Sequence, residues 1–212
     1  MKEIQRAPNY NAGINWQYGG ALGGYAVLCL AAGDTKGYRT TVAQIVAQLE
    51  RRVEGHNAVL CWVCTLAPDT VTNYGLLLEV VTNAVARQAN ITNSLYDRET
   101  LGALLHRAGR YPEAARQLAD MYELDQRVKP NPKTTAATQS AYLLALTHAQ
   151  LGHTNEASEW FERASDLDPF AGGTRGPAAA KVYWWNQLAL QWLRKEADSV
   201  LNARASPPTS PP

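Results

Sequence analysis

The sequence is short of the features that mark nucleic-acid-binding and membrane proteins. Lysine and arginine (20 residues) nearly balance aspartate and glutamate (19 residues), which leaves a formal net charge of +1. The basic residues occur singly or in pairs, without the run that would bind a polyanion. The best candidate for a membrane span, residues 21–33, is too short, because a spanning helix needs roughly 18 or more apolar residues. The composition therefore predicts neither a nucleic-acid partner nor a membrane partner.

Cysteine is also scarce, with only 3 residues in the chain. An odd number of cysteines argues against a disulfide framework and fits a reducing compartment. A secretory signal peptide fits poorly as well, because the polar residues 8–20 separate Lys2 and Arg6 from the first apolar run. We therefore expect a cytoplasmic protein.

The common signatures of catalysis and cofactor binding are missing too. The chain has no Gly-x-Ser-x-Gly motif, no Walker-type phosphate loop and no His-Glu-x-x-His motif. The stretch GGALGG lacks the preceding strand that a dinucleotide-binding site requires. The histidines show no metal-binding spacing; His148 takes a packing position, whereas His106 lies on the other face of its helix. We expect no metal and no cofactor.

The sequence CWVC at residues 61–64 has two chemically different interpretations. A redox site needs its first cysteine at a helix N-terminus, where the dipole lowers the thiol pKa, but Cys61 lies about one turn inside a predicted helix. A structural zinc site usually needs a second such pair, and Cys29 stands alone. We interpret Cys61 and Cys64 as core residues that share one helical face. A thiol- or zinc-dependent enzyme that uses this pair is the alternative.

Helical periodicity is clearest between residues 95 and 169. Residues 99–109 place apolar side chains on one helical face and end at Gly109, which predicts a left-handed cap. Residues 111–125 begin a second amphipathic helix, with Pro112 in its first turn. The same pair of helices recurs over residues 140–152 and 154–169. Two amphipathic helices joined by a glycine turn predict a helical hairpin, and the recurrence indicates an internal repeat.

The two helix pairs resemble tetratricopeptide (TPR) repeats, whose pattern runs W-x2-L-G-x2-Y, A-x3-F and P. The residues that carry the resemblance are Leu101, Gly102, Gly109, Tyr111, Ala114 and Leu118 in the first pair, and Leu144, Ala145, Gly152, Ala157, Phe161, Ala164 and Pro169 in the second. Arg98 and Ala141 depart from the pattern because they replace its tryptophan, and Leu105 and His148 replace its tyrosine. The turn glycines also lie further apart than the roughly 34 residues of the family repeat.

The chain is further similar to the TPR arrays at the C-terminal ends of certain bacterial signalling proteins. Many of those proteins carry a serine/threonine kinase or a WD40 region ahead of the array. The phrases AGDTKGYRTTVAQIVAQLE, LAPDTV, TLGALLHRAGRYPEAARQL and LRKEADSVL suggest this similarity. The glycine-rich loop, lysine and His-Arg-Asp signals of a kinase do not occur, so the resemblance implies no kinase activity.

We therefore predict an all-α fold: a TPR-like helical-hairpin solenoid with a right-handed superhelix and a C-terminal capping helix. The repeat domain is expected over residues 14–202, between an N-terminal tail (1–13) and a disordered proline-rich tail (203–212). Its elements are predicted as hairpins at residues 19–52, 57–88, 95–125 and 138–169 and a capping helix at residues 178–201.

In the TPR family, the first helix of each hairpin lines a concave groove that holds a peptide or a partner helix. The resemblance assigns this groove to Tyr96, Glu99, Ala103, His106, Arg107, Gln139, Tyr142, Leu146 and Gln150. Tyr142, Leu143 and Leu146 would add apolar area for a partner to bury. The alternative is that a neighbouring hairpin or the C-terminal helix already covers this face.

These observations predict a non-catalytic scaffold that binds a protein or peptide partner in the groove. The resemblance to the bacterial arrays implies that the chain serves as the regulatory module of a signalling system. Besides the thiol- or zinc-dependent enzyme, a structural spacer or self-association module remains as an alternative, since stacked hairpins serve that purpose as readily.

Overall fold

The structure, a computed structural model, describes residues 20–51, 57–87, 91–128, 135–171 and 184–205. These ranges contain nine α-helices and no β-strand, which confirms the predicted all-α fold. In chain order the helices are α1 (Gly20–Ala31), α2 (Thr35–Glu50), α3 (Asn57–Val63), α4 (Gly75–Arg87), α5 (Ile91–Arg107), α6 (Tyr111–Val128), α7 (Thr135–Leu151), α8 (Thr154–Leu167) and α9 (Trp184–Ala205). None of these helices has the length and apolar character that crossing a membrane requires.

The ends of the chain fall largely outside the described residues. The predicted tail at residues 1–13 lies there completely, and the predicted tail at 203–212 does so beyond Ala205. The C-terminal helix extends to Ala205 rather than ending near residue 201. Ala203, Arg204 and Ala205 continue α9 because alanine and arginine have high helix propensity, and the first helix-breaking residue is Pro207.

The first eight helices pack as four consecutive hairpins. Helix α1 packs on α2, α3 on α4, α5 on α6, and α7 on α8. The first helices of the hairpins also contact one another in succession, α1 with α3, α3 with α5, and α5 with α7. Helix α9 packs mainly on α7 and reaches α8 and α1. The result is a helical-hairpin solenoid whose last helix returns to its first.

Three of the hairpins turn through the same backbone motif. Gly33, Gly109 and Gly152 have φ angles of 73°, 74° and 79°, which residues with a Cβ adopt at a cost. After each glycine, the next residue donates its N–H to a carbonyl five positions back: Asp34 to Cys29 (2.8 Å), Arg110 to Leu105 (2.9 Å) and His153 to His148 (2.9 Å). This is the Schellman motif, which satisfies the last carbonyls of a helix.

The apolar core has two large clusters, and α9 contributes to both. Helices α1 to α4 form the first cluster, which also holds Leu104 of α5 and Ala189 of α9. Helices α5 to α8 form the second, together with Leu190, Leu193 and Ala197 of α9. Because adjacent faces of α9 pack on the two clusters, α9 joins the N-terminal hairpins to the TPR-like hairpins.

Helix α7 is buried on all sides except in its last turn. Every residue from Ala136 to Thr147 is buried, since α7 is surrounded by α5, α6, α8 and α9. Its sequence fits this position, because residues 135–151 contain no Asp, Glu, Lys or Arg, and a helix without a charged face packs in a core. The expectation that α7 exposes one face to an open groove is therefore wrong.

Candidate functional site

The structure buries most of the side chains that the TPR resemblance assigns to a groove. Tyr96 is 48% exposed, and Gln150 is also exposed. The others are covered, as shown by the exposed fractions of Glu99 (2%), Ala103 (1%), His106 (6%), Gln139 (2%), Tyr142 (0%) and Leu146 (1%) and of the Arg107 side chain (4%). The predicted open groove is thus corrected: these positions form an internal interface.

Tyr142 faces its own hairpin instead of a partner. Its ring packs edge-on against Phe161 of α8, with the ring centroids 5.8 Å apart, and its hydroxyl donates to Asp168 Oδ2 at 3.1 Å. Burial and the negative charge of Asp168 raise the pKa of Tyr142. The tyrosine therefore contributes to the α7–α8 contact, and no surface of it is left for binding.

Gln139 and Glu99 lie under α3. The indole Nε1 of Trp62 donates to Gln139 Oε1 at 3.2 Å, which links α3 to α7. Burial and the nearby Asp125 raise the pKa of Glu99 well above its usual value, although a hydrogen bond with Trp62 opposes the shift. Trp62 thus covers the positions through which α5 and α7 would have opened to solvent.

The expected positions of His106 and His148 are reversed. His106 is buried, and its Nδ1 lies 2.9 Å from Thr147 Oγ1, while Thr147 donates its hydroxyl hydrogen to the carbonyl of Leu143 at 2.6 Å. His106 must therefore be the donor, so its Nδ1 carries the hydrogen. Burial and the charge of Arg107 lower its pKa to about 3. His148, expected in the core, is only half-buried.

Arg107 connects three parts of the chain. Its Nη1 and Nη2 donate to the two carboxylate oxygens of Glu196 in α9, at 2.5 and 2.7 Å. Its Nε donates to the carbonyl of Thr65, just after α3, at 2.8 Å. The Glu196 side chain is 19% exposed, so the pair is largely removed from water. A bidentate pair at such a place fixes the orientation of α9 as well as its position.

A second ion pair holds α9 near the end of the α7–α8 hairpin. Arg194 Nη1 lies 3.4 Å from Asp168 Oδ2, and the Asp168 side chain is 1% exposed. The other oxygen of Asp168 accepts the backbone N–H of Phe170 at 2.9 Å. The Asp168 carboxylate therefore contacts Tyr142 of α7, the backbone just after α8, and Arg194 of α9. Sequence reasoning missed Asp168, Arg194 and Glu196, because no local pattern relates α9 to α5 or to the end of α8.

The three cysteines are buried and form no disulfide. Burial, and to a lesser extent the negative charge of Asp97, raise the pKa of Cys61 to about 12. Burial and the neighbouring Cys61 also raise the pKa of Cys64. Thiolates are the reactive and metal-binding form of cysteine, and this environment opposes their formation. Within the described residues, no group of three or more His, Cys, Asp or Glu side chains is arranged to hold a metal ion.

Comparison with known protein families addresses the second half of the molecule. Residues 91–169 match the family model described as the tetratricopeptide repeat. The α5–α6 and α7–α8 hairpins are therefore similar to tetratricopeptide repeats. The match begins with α5 and ends just beyond α8, so it covers the two hairpins that form the second apolar cluster. No curated protein matches the chain.

Proposed function

We propose that this TPR protein is a non-catalytic scaffold for protein–protein interaction, and that its partner competes with α9 for α7 and Arg107. TPR hairpins support protein binding in general, and the family is typically non-catalytic. The observation that carries the more specific proposal is the position of α9, an amphipathic helix that occupies the face where the family resemblance places a partner.

Helix α9 is docked in the way that a partner helix docks in a groove. Its apolar residues Leu190, Leu193 and Ala197 pack into the cluster formed by α5 to α8. Burying a leucine contributes about 1.5–3 kcal/mol, so these residues supply most of the affinity. The Arg107–Glu196 and Arg194–Asp168 pairs fix the register. Apolar anchors spaced along one face of a helix, with polar contacts at the edge, are the helix-in-groove mode of recognition.

The docked helix also explains why a partner would bind by exchange. A helix in the same chain acts at an effective concentration in the millimolar range. A partner with the same apolar spacing and a carboxylate for Arg107 must overcome this competition. The binding surface is then available only when the contacts of α9 are weakened, which suits a regulatory module of a signalling system. We also propose that the protein acts in bacterial signalling and is located in the cytoplasm. Its three buried thiols are compatible with a reducing compartment.

A synthetic peptide of residues 184–205 can stand in for the partner in a test of this proposal. The full-length variant Leu193→Ala/Glu196→Ala loosens α9, and the wild-type peptide can then supply both missing side chains. We expect the labelled peptide to bind the variant at least about tenfold more tightly than it binds the wild-type chain, measured by fluorescence anisotropy.

Two controls make this result specific. The variant Glu113→Ala removes an exposed bidentate pair with Arg110 and should leave peptide binding as weak as in the wild type. A peptide that carries Glu196→Ala should bind the loosened chain less tightly than the wild-type peptide does. If circular dichroism shows a folded variant and the peptide binds it no better than the wild-type chain, the exchange proposal is wrong.

A further inference from the structure

Two histidine side chains meet at the turn between α7 and α8, away from the α9 interface. The Nδ1 atoms of His148 and His153 lie 3.3 Å apart, and the centroids of the two rings are 5.5 Å apart at an interplanar angle of 41°. His148 is half-buried and His153 is exposed. Both Nδ1 atoms therefore point toward one place at the surface of the hairpin.

The backbone of the turn brings these two side chains together. The carbonyl of His148 accepts the N–H of His153, across the left-handed Gly152. In a Schellman motif the two residues joined by this hydrogen bond usually make an apolar contact. The same two positions hold Cys29 and Asp34 in the α1–α2 turn and Leu105 and Arg110 in the α5–α6 turn. Among these three turns, only the α7–α8 turn places two imidazoles at the paired positions.

The separation of the two nitrogens matches that of two ligands on one metal ion. Histidine nitrogens bind zinc at about 2.0–2.1 Å, and two such ligands at a tetrahedral angle are about 3.3–3.4 Å apart. Imidazole nitrogens are also good ligands for copper and nickel. We propose that His148 and His153 form a two-histidine site for a divalent transition-metal ion of the zinc, nickel or copper type.

The surroundings of His148 favour a neutral imidazole and a cation nearby. Burial, and then the charge of His153, lower the pKa of His148, while Glu156 in the first turn of α8 opposes this shift. A neutral ring has the lone pair that a metal ion requires, and the carboxylate of Glu156 adds attraction for a positive charge. Because no third His, Cys, Asp or Glu of the described residues completes the set, water would occupy the remaining positions. The bound ion would then clamp the turn and stabilise the second TPR hairpin.

The first TPR hairpin supplies a matched control variant. His148→Leu/His153→Arg gives the α7–α8 turn the residues that the α5–α6 turn carries at the same positions, so the backbone motif should be retained. The protein should be full-length and free of a histidine tag, because His56 and other groups can also bind metal weakly. The probes are Zn²⁺ and Ni²⁺, each added alone to metal-free protein.

We expect calorimetric titration to show a Zn²⁺ or Ni²⁺ site in the wild-type chain that the double variant weakens by at least about tenfold. Saturating metal should also raise the Tm of the wild type by about 2–5 °C, and chelation should reverse the rise. The single variant His153→Arg, which keeps His148, should lose the same site. A wild-type chain that binds neither ion, or a folded double variant that binds both ions as tightly as the wild type, would overturn the proposal.

Discussion

The two TPR-like hairpins, α5–α6 and α7–α8, share a backbone turn and differ in what surrounds it. The α5–α6 and α7–α8 turns have nearly the same glycine φ angle, 74° and 79°. Counted from these glycines, Arg107 and Gln150 occupy the same position. The Arg107 side chain is buried and bonded to α9, whereas Gln150 is exposed. The repeat pattern therefore fixes the turn, and neighbouring helices decide which of its side chains are covered.

The largest loss of stability is expected when Arg107 is replaced by glutamine, the residue at the same position in the second hairpin. Arg107→Gln removes the charge that compensates Glu196 and both of the N–H groups that bind its carboxylate. Breaking a buried ion pair from one side costs about 3–5 kcal/mol, so we expect a loss of this size in the free energy of unfolding, measured by urea denaturation.

Arg110 provides the comparison for this prediction. It forms an equally short bidentate pair with Glu113, but both side chains are nearly half exposed. Exposed pairs contribute about 0–1 kcal/mol, and Arg110→Gln should therefore change stability very little. Equal losses for Arg107→Gln and Arg110→Gln would show that the contact with α9 is not what makes Arg107 important.

A smaller loss of stability is expected from substitutions at the point where the two helices of a hairpin cross. Gly102 in α5 corresponds to Ala145 in α7, and a Cβ on Gly102 would lie 2.5 Å from Leu118 Cδ2. Gly102→Ala gains about 1 kcal/mol of helix propensity but crowds a packed contact, which typically costs about 1–3 kcal/mol. We expect a net loss of about 1 kcal/mol, measured by thermal and urea unfolding.

The reverse change in the second hairpin serves as its control. Ala145→Gly loses helix propensity and packing together, so it should also destabilise, by about 1 kcal/mol. If Gly102→Ala instead stabilises the protein, α5 and α6 have room to separate, and the two crossings do not differ as the structure indicates.

The last comparison concerns the pH dependence of stability. His106 in the first hairpin corresponds to Ala149 in the second, and its pKa is lowered to about 3 by burial and Arg107. The unfolded chain therefore binds a proton below about pH 6.5 that the folded chain does not, so acid destabilises the fold. From pH 6.5 to 5.5, wild-type stability should fall by about 1 kcal/mol more than that of His106→Gln. If urea unfolding shows that the two proteins lose the same stability between pH 6.5 and 5.5, this assignment is wrong.

Much of the local structure could be predicted from residue patterns. The helical period placed Ala114, Leu118 and Met121 on one face of α6, and all three are buried. The left-handed cap predicted at Gly109 is present, and Gly152, where the second repeat was expected to turn, adopts the same conformation. Such features depend on residues a few positions apart, whose geometry the helix itself dictates.

The candidate sites were harder to predict. The residues of α7 were expected on an open face because the family resemblance supplied the groove, although the absence of charge in residues 135–151 indicates a helix buried on all sides. The histidine pair also had a local signal: one histidine on each side of a predicted glycine cap, at the two positions that a Schellman motif joins. A search for the usual metal-binding spacings does not detect this pair.

By itself, the sequence determined the helices, their glycine turns and the repeated hairpins, because these follow from periodicity and caps within short segments. Only the tertiary structure decided that α9 returns to cover the face of α7. That outcome depends on contacts such as Arg107 with Glu196 and Trp62 with Gln139, whose partners are 89 and 77 residues apart. No local pattern specifies such pairs, because their geometry exists only after the hairpins have stacked.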